Sequence, residues 1–230
     1  MTALGIEYRL IPGFSQTARA WDEVIASLPE SVSGGAFDIP DRTSFLETAD
    51  ALSAADRGIW AGYSMGGRLA LQIALTSPGI VSALVLISVN PGIEDPAARR
   101  DRRRTDGNLA AYVETAGIEP FLDRWLAQPM FAHLEKARLN RLDSSDAIAH
   151  QLRTLGQGAC EPVWDRLGEL AMPVAVIAGD RDEKYSGIAR RTAAAIGPNA
   201  GLHIIPGAGH ALLQEAPAAV AAILSALLRQ

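Results

Sequence analysis

Gly62-Tyr63-Ser64-Met65-Gly66-Gly67 sits between an apolar run, Gly58-Ile59-Trp60-Ala61, and a helix-like segment over residues 68–76 with Leu69, Leu71, Ile73 and Ala74 apolar. Gly-x-Ser-x-Gly between a strand and a helix is what a nucleophile elbow requires. The chain turns sharply, the serine is held strained with its hydroxyl exposed at the tip, and glycines leave room where a Cβ would block backbone packing. The following helix aims its first N–H groups and the positive end of its dipole at that hydroxyl. In a chain with 21 glycines the triplet alone is weak, so the strand–turn–helix setting gives it its weight.

Strand-like and helix-like segments alternate on both sides of this turn, which predicts an α/β fold with a mostly parallel sheet. Residues 5–11 read as a strand and 17–28 as a helix with Trp21, Val24, Ile25 and Leu28 on one face. Residues 35–39 read as a short strand, 44–55 as a helix and 58–62 as the strand entering the elbow. The run 81–89, rich in β-branched residues, suits a strand buried on both faces. From Pro91 to about Arg166 charged residues rise and strand signals vanish. This predicts a helical lid over residues 91–166, inserted into an α/β sheet core made of 1–90 and 167–230. Strands resume at 173–178 and 202–205 around a helix over 186–196, and an alanine-rich helix over 216–228 follows.

A chain of 230 residues that is 48% hydrophobic can bury a sizeable single core. Its net charge of −5 supplies no basic field for a nucleic acid. One cysteine, Cys160, rules out an internal disulfide and fits a reducing compartment. It lies in Gly156-Gln157-Gly158-Ala159-Cys160, without metal-ligand spacing. The first ten residues lack a signal peptide's basic and apolar regions, and the longest apolar stretches are too short or too alanine-rich to span a bilayer. A cytoplasmic protein without a membrane span is expected.

A serine hydroxyl becomes a useful nucleophile or base when an imidazole takes its proton and a carboxylate orients that imidazole. In elbow folds the chain order is Ser, then Asp or Glu, then His. Of four histidines, His133 and His150 lie in the expected lid and His203 inside the last strand. His210 follows that strand in Pro206-Gly207-Ala208-Gly209-His210, at the carboxyl edge where open α/β sheets bind ligands. The acid should lie in Gly179-Asp180-Arg181-Asp182-Glu183. Asp180, Asp182 and Glu183 compete. Reach across to His210 favours Asp182, far enough out on the turn, and leaves Asp180 to pair locally or cap a turn. The oxyanion donors would be the backbone N–H groups of Met65, after the serine, and Phe14, after an early strand. Arg68, one helical turn past Ser64, could face the same pocket. Asp95-Pro96 opens a helix on which Arg99, Arg102 and Asp106 share a face. An inward arginine there would clamp a carboxylate.

Together these pieces resemble the α/β-hydrolase superfamily, and within it the 2-succinyl-6-hydroxy-2,4-cyclohexadiene-1-carboxylate synthases of menaquinone biosynthesis. The resemblance runs through Gly13-Phe14-Ser15, Trp21, the elbow with Arg68, Asn90-Pro91-Gly92-Ile93 and the Arg99/Arg102/Asp106 series. It continues in Trp125-Leu126-Ala127-Gln128-Pro129-Met130-Phe131, Gly179-Asp180-Arg181-Asp182-Glu183-Lys184-Tyr185 and Gly207-Ala208-Gly209-His210. It implies an elimination: a Ser64–His210–Asp182 triad removes a ring proton and pyruvate leaves. It also implies a small substrate with three carboxylates, bound by Arg68, Arg102 and Arg141, with Tyr63 and Trp125 beside the ring and no cofactor. Two departures stand out. Pro12-Gly13 replaces the His-Gly that usually braces the oxyanion loop, and only one strand precedes Gly13, so the usual first hairpin is shortened. A serine carboxylesterase or carbon–carbon bond hydrolase shares the triad without needing inward arginines. A ligand-binding protein on a hydrolase scaffold is the alternative outside enzymes.

Overall fold

The computed structural model describes residues 7–29, 33–131, 134 and 140–227. Six strands form one sheet in the order β2-β1-β3-β4-β5-β6: β1 (Glu7–Ile11), β2 (Ser33–Ala36), β3 (Gly58–Tyr63), β4 (Val81–Ile87), β5 (Val174–Gly179) and β6 (Ala200–Ile205). Every neighbouring pair is parallel. The strand order reverses between β1 and β3, so the crevice between their carboxyl ends is where this architecture places a ligand. Ile11 pairs with Gly62 and Tyr63 with Ile87, which brings the ends of β1, β3 and β4 level.

The inner strands are buried throughout because helices cover both faces. Trp60, Leu84, Leu86 and Val176 pack under α2 (Phe45–Ser53), α3 (Met65–Thr76) and α7 (Glu183–Ile196), through Phe45, Leu69, Ile73 and Ile196. The alternate residues Ile59, Ala61, Val85 and Ile177 pack under α1 (Asp22–Ile25), α8 (Leu212–Glu215) and α9 (Pro217–Leu227), through Val24, Leu212, Val220 and Leu224. Between β4 and β5 the described chain has no strand, and its regular elements are α4 (Pro96–Ala116), α5 (Ile118–Leu126) and α6 (Ser145–Leu155), with short 3-10 turns and one isolated bridge from Arg141 to Gln16. These helices carry their own small core of Ala110, Val113, Phe121, Ile148 and Leu152.

Element edges differ from the sequence reading in ways that local chemistry explains. The helix expected over 17–28 is a 3-10 turn, Ala18–Trp21, followed by the single α-turn of α1. The second strand lies at Ser33–Ala36, ahead of the expected 35–39. The helix after the elbow starts at Met65, directly behind the serine. The closing helix expected over 216–228 runs over Pro217–Leu227 with Pro217 at its first position, and the short α8, not expected from the sequence, precedes it. The starts of the expected first strand and shortened hairpin lie outside the described residues.

Candidate active site

Ser64 occupies the turn between β3 and α3 with φ 51° and ψ −107°, a conformation that an L residue holds only when its surroundings impose it. The imposing contacts are backbone against backbone. A Cβ at Gly62 would run into the Gly66 carbonyl, and one at Gly66 into the carbonyl oxygens of Ile11 and Pro12. Only glycine lets α3 approach β1 and β3 this closely. As the first residue of α3, Met65 has an N–H with no intrahelical acceptor.

His210 Nε2 lies 3.3 Å from Ser64 Oγ, and its Nδ1 lies 2.8 Å from Asp182 Oδ2. Both partners are nearly closed off, His210 at 2% exposure and Asp182 at 8%. Asp182 also caps α7: its Oδ1 accepts from Tyr185 N at 3.1 Å, which turns Oδ2 toward the imidazole. A carboxylate at Nδ1 keeps the proton there and leaves Nε2 to accept from the serine hydroxyl. Asp180 caps a turn, as expected, but the one after β6. Its Oδ1 accepts from Gly207 N at 2.8 Å and so ties down the start of the His210 loop. His203 is half-buried in β6, and that burial lowers its pKa. His150 bonds Asp41 Oδ1 at 2.7 Å and the Arg42 carbonyl at 2.8 Å, away from Ser64. His133 lies outside the described residues.

Phe14 reaches the cavity on a loop braced without the usual histidine. Gln16 Oε1 accepts from Gly13 N at 3.0 Å, and Gln151 Oε1 from Ser15 N at 2.9 Å. Arg141 Nη1 donates to the Phe14 carbonyl at 3.1 Å and to Ser15 Oγ at 2.9 Å. Pro12 therefore stands in a loop held by Gln16, Gln151 and Arg141.

Above Ser64 opens a cavity of about 460 Å³, within the range of small-molecule sites. Tyr63, Trp125 and Phe131 form part of its wall, and Arg68, Arg102 and Arg141 reach it together. Arg99 does not: it pairs with Glu161 at 2.9 Å. Arg68 also holds the end of α6 and the turn after it, donating to the Leu155 carbonyl at 2.9 Å, the Gly156 carbonyl at 3.4 Å and the Cys160 thiol. Burial pushes that thiol's pKa up, partly offset by Arg68. Burial lowers the Arg141 pKa and raises those of Tyr63 and Tyr185. The Tyr185 ring stands edge-on against His210, centroids 4.4 Å apart. Among the described residues no group of three or more His, Cys, Asp or Glu could hold a metal ion, and no helix is long and apolar enough to cross a membrane.

Three residues here were not singled out from the sequence. Ser88, at φ 52°, donates from Oγ to the His210 carbonyl at 2.9 Å. Glu215 accepts from Gly209 N at 2.7 Å and from Ala211 N at 2.9 Å, on either side of the histidine. Gln157 lines the cavity beside Arg102. Brace residues carry no motif. The one available signal was a carboxylate, Glu215, one turn past the candidate histidine.

A strained serine behind the third of six parallel strands, with an imidazole and a carboxylate from the loops after β6 and β5, defines a hydrolase-type α/β protein. The family model described as the alpha/beta hydrolase family matches residues 10–223, and the chain belongs to that family. The putative 2-succinyl-6-hydroxy-2,4-cyclohexadiene-1-carboxylate synthase of Bacillus subtilis (strain 168) is 35% identical over 176 residues, 73% of this chain and 64% of the relative. The synthase of that name from Enterobacter sp. (strain 638) is 28% identical over 94% of this chain and 89% of its own length. The solved structure of MenH from S. aureus superposes with a TM-score of 0.90 at 28% identity, over 99% of this chain and 95% of that one.

Proposed function

We propose that the chain is a lyase that eliminates pyruvate from 2-succinyl-5-enolpyruvyl-6-hydroxy-3-cyclohexene-1-carboxylate, giving 2-succinyl-6-hydroxy-2,4-cyclohexadiene-1-carboxylate. One observation carries the reading: Arg68, Arg102 and Arg141 converge on the cavity that holds Ser64 and His210. An ester hydrolase needs no such cluster. A substrate with three carboxylates does, since a guanidinium binds carboxylate with two parallel hydrogen bonds. The relatives that carry this activity in their names support the same choice.

His210 accepts the Ser64 proton, and the serine oxygen takes the ring proton next to the succinyl ketone. The C–H electron pair moves into the ring, and charge develops on the ketone oxygen within reach of the Phe14 and Met65 N–H groups. The C–O bond to the enolpyruvyl group then breaks, the conjugated diene forms, and His210 returns the proton to the departing enol, which tautomerises to pyruvate. Asp182 keeps the imidazole in the tautomer that accepts from serine. Tyr63 and Trp125 flank the ring. Soluble small substrates and a lone thiol suit work in the cytoplasm.

Pyruvate release from the enolpyruvyl substrate, followed with lactate dehydrogenase, tests this. Saturable release by the wild-type chain, lost by about 10⁴-fold or more in Ser64→Ala because the triad acts as a unit, is expected. No release alongside turnover of p-nitrophenyl esters makes it an esterase. Inertness to both, with no labelling of Ser64 by a fluorophosphonate, makes it a binding protein.

A further inference from the structure

Gln157 follows α6 in the turn that faces α4, is 6% exposed and lines the cavity. Its Oε1 accepts from Arg102 Nη1 at 3.5 Å, while its Nε2 has no hydrogen-bond partner among the described residues. Arg102 in turn donates from Nε to Asp106 Oδ1 at 2.8 Å. Asp106 is 1% exposed, and its second oxygen lies 3.4 Å from the Gly158 N–H. The carboxylate and the amide together hold the guanidinium at Nε and Nη1. The Arg102 side chain itself keeps 35% of its surface exposed and lines the cavity. Gln157 thus carries a buried N–H donor without an acceptor among the described residues, next to a guanidinium that lines the same cavity. A buried donor left unmatched is unfavourable and calls for an explanation.

We propose that Gln157 is a specificity-determining residue: its Nε2 donates to the same substrate carboxylate that Arg102 grips. This rests on the polycarboxylate reading of the cavity and assigns one carboxylate to the Arg102–Gln157 pair. Asp106 is the positioning residue behind it. A carboxylate there would accept from the Gln157 amide with one oxygen and from the Arg102 guanidinium with the other, which selects for a planar anion over a neutral acyl group.

The test compares wild type with Gln157→Leu, which removes the donor at similar volume, and Gln157→Glu, which keeps an acceptor for Arg102 but meets the substrate with like charge. Pyruvate release is measured together with calorimetric binding of 2-(3-carboxypropanoyl)benzoate, a stable aromatic dicarboxylate of the product's shape. Gln157→Leu should raise KM, and the probe's Kd, about 10-fold with kcat within about twofold, and Gln157→Glu more than that. Fluorophosphonate labelling of Ser64 and Tm should stay near wild type. If KM and Kd stay within twofold in both variants, or if Tm and kcat fall while KM holds, Gln157 only packs the lid and the inference is wrong. Failure of the elimination reading looks different: wild type releases no pyruvate, and the probe's Kd alone then decides Gln157.

Discussion

Ser15, Ser64 and Ser88 lie past the carboxyl ends of three neighbouring strands, with φ of 56°, 51° and 52°. Each departure from ordinary backbone costs on the order of 1–3 kcal/mol and persists only where the surroundings over-determine it. Ser64 carries the hydroxyl, Ser15 turns the Phe14 loop into the cavity, and Ser88 holds the His210 carbonyl. Glu215 completes this frame from the far side by taking both N–H groups that bracket His210. Glu215→Ala should lower kcat about 10- to 100-fold with little change in KM, because the imidazole drifts while the binding groups stay. Slower fluorophosphonate labelling of Ser64 would accompany it, and an unchanged labelling rate would show that Glu215 does not position His210. That Ser64, His210 and Asp182 would meet was readable in the sequence, because the loops after β3, β5 and β6 open on the same edge of this sheet. Glu215 and Ser88 were not, since hydrogen bonds to backbone leave no constraint on residue type that one sequence displays.

Elements fit together here by close backbone approach. α3 lies so near β1 that Gly66 has no room for a methyl group, and the atoms it would strike are carbonyls that cannot swing aside. Gly66→Ala should therefore destabilise the fold by about 3 kcal/mol and lower Tm by several degrees. A loss under about 0.5 kcal/mol would mean that α3 can slide away at little cost. The helices between β4 and β5 depend on a different contact, the aromatic core around Phe121, which is fully buried beneath Phe14 and Trp125. Phe121→Ala should cost about 3–5 kcal/mol and raise KM, since Trp125 loses its stacking partner. The strands and the charged helical stretch were legible because periodicity and β-branching report burial directly. The short helix at Leu212–Glu215 and the 3-10 turn at Ala18–Trp21 were not, because single turns depend on contacts that apolar spacing does not encode.

The molecule as a unit carries a set of protons that it holds more tightly folded than unfolded. Burial raises Cys160 from its ordinary 9.0, Tyr8 from 10.0 to about 12, and Tyr63 and Tyr185 above 10.0. Above those ordinary values the unfolded chain has lost protons that the folded chain keeps, so stability falls as pH rises. Urea midpoints should hold through pH 8 and drop progressively from about pH 9 to 12; a midpoint flat to pH 11 would mean that these groups are in contact with water. The cationic cavity was foreseeable from the resemblance, but its division of labour was not. Arg68 and Arg141 each brace a loop as well as facing the cavity, and sequence spacing gives no sign of such double duty.

Elimination and hydrolysis part company over the ring. The decisive measurement follows diene absorbance and pyruvate together, using enolpyruvyl substrate deuterated at the ring carbon beside the succinyl ketone. A proton-abstracting Ser64 predicts one diene per pyruvate, with a primary isotope effect on single-turnover rates. Pyruvate released without the diene, or equal rates for both isotopes with no proton lost from the ring, would contradict it.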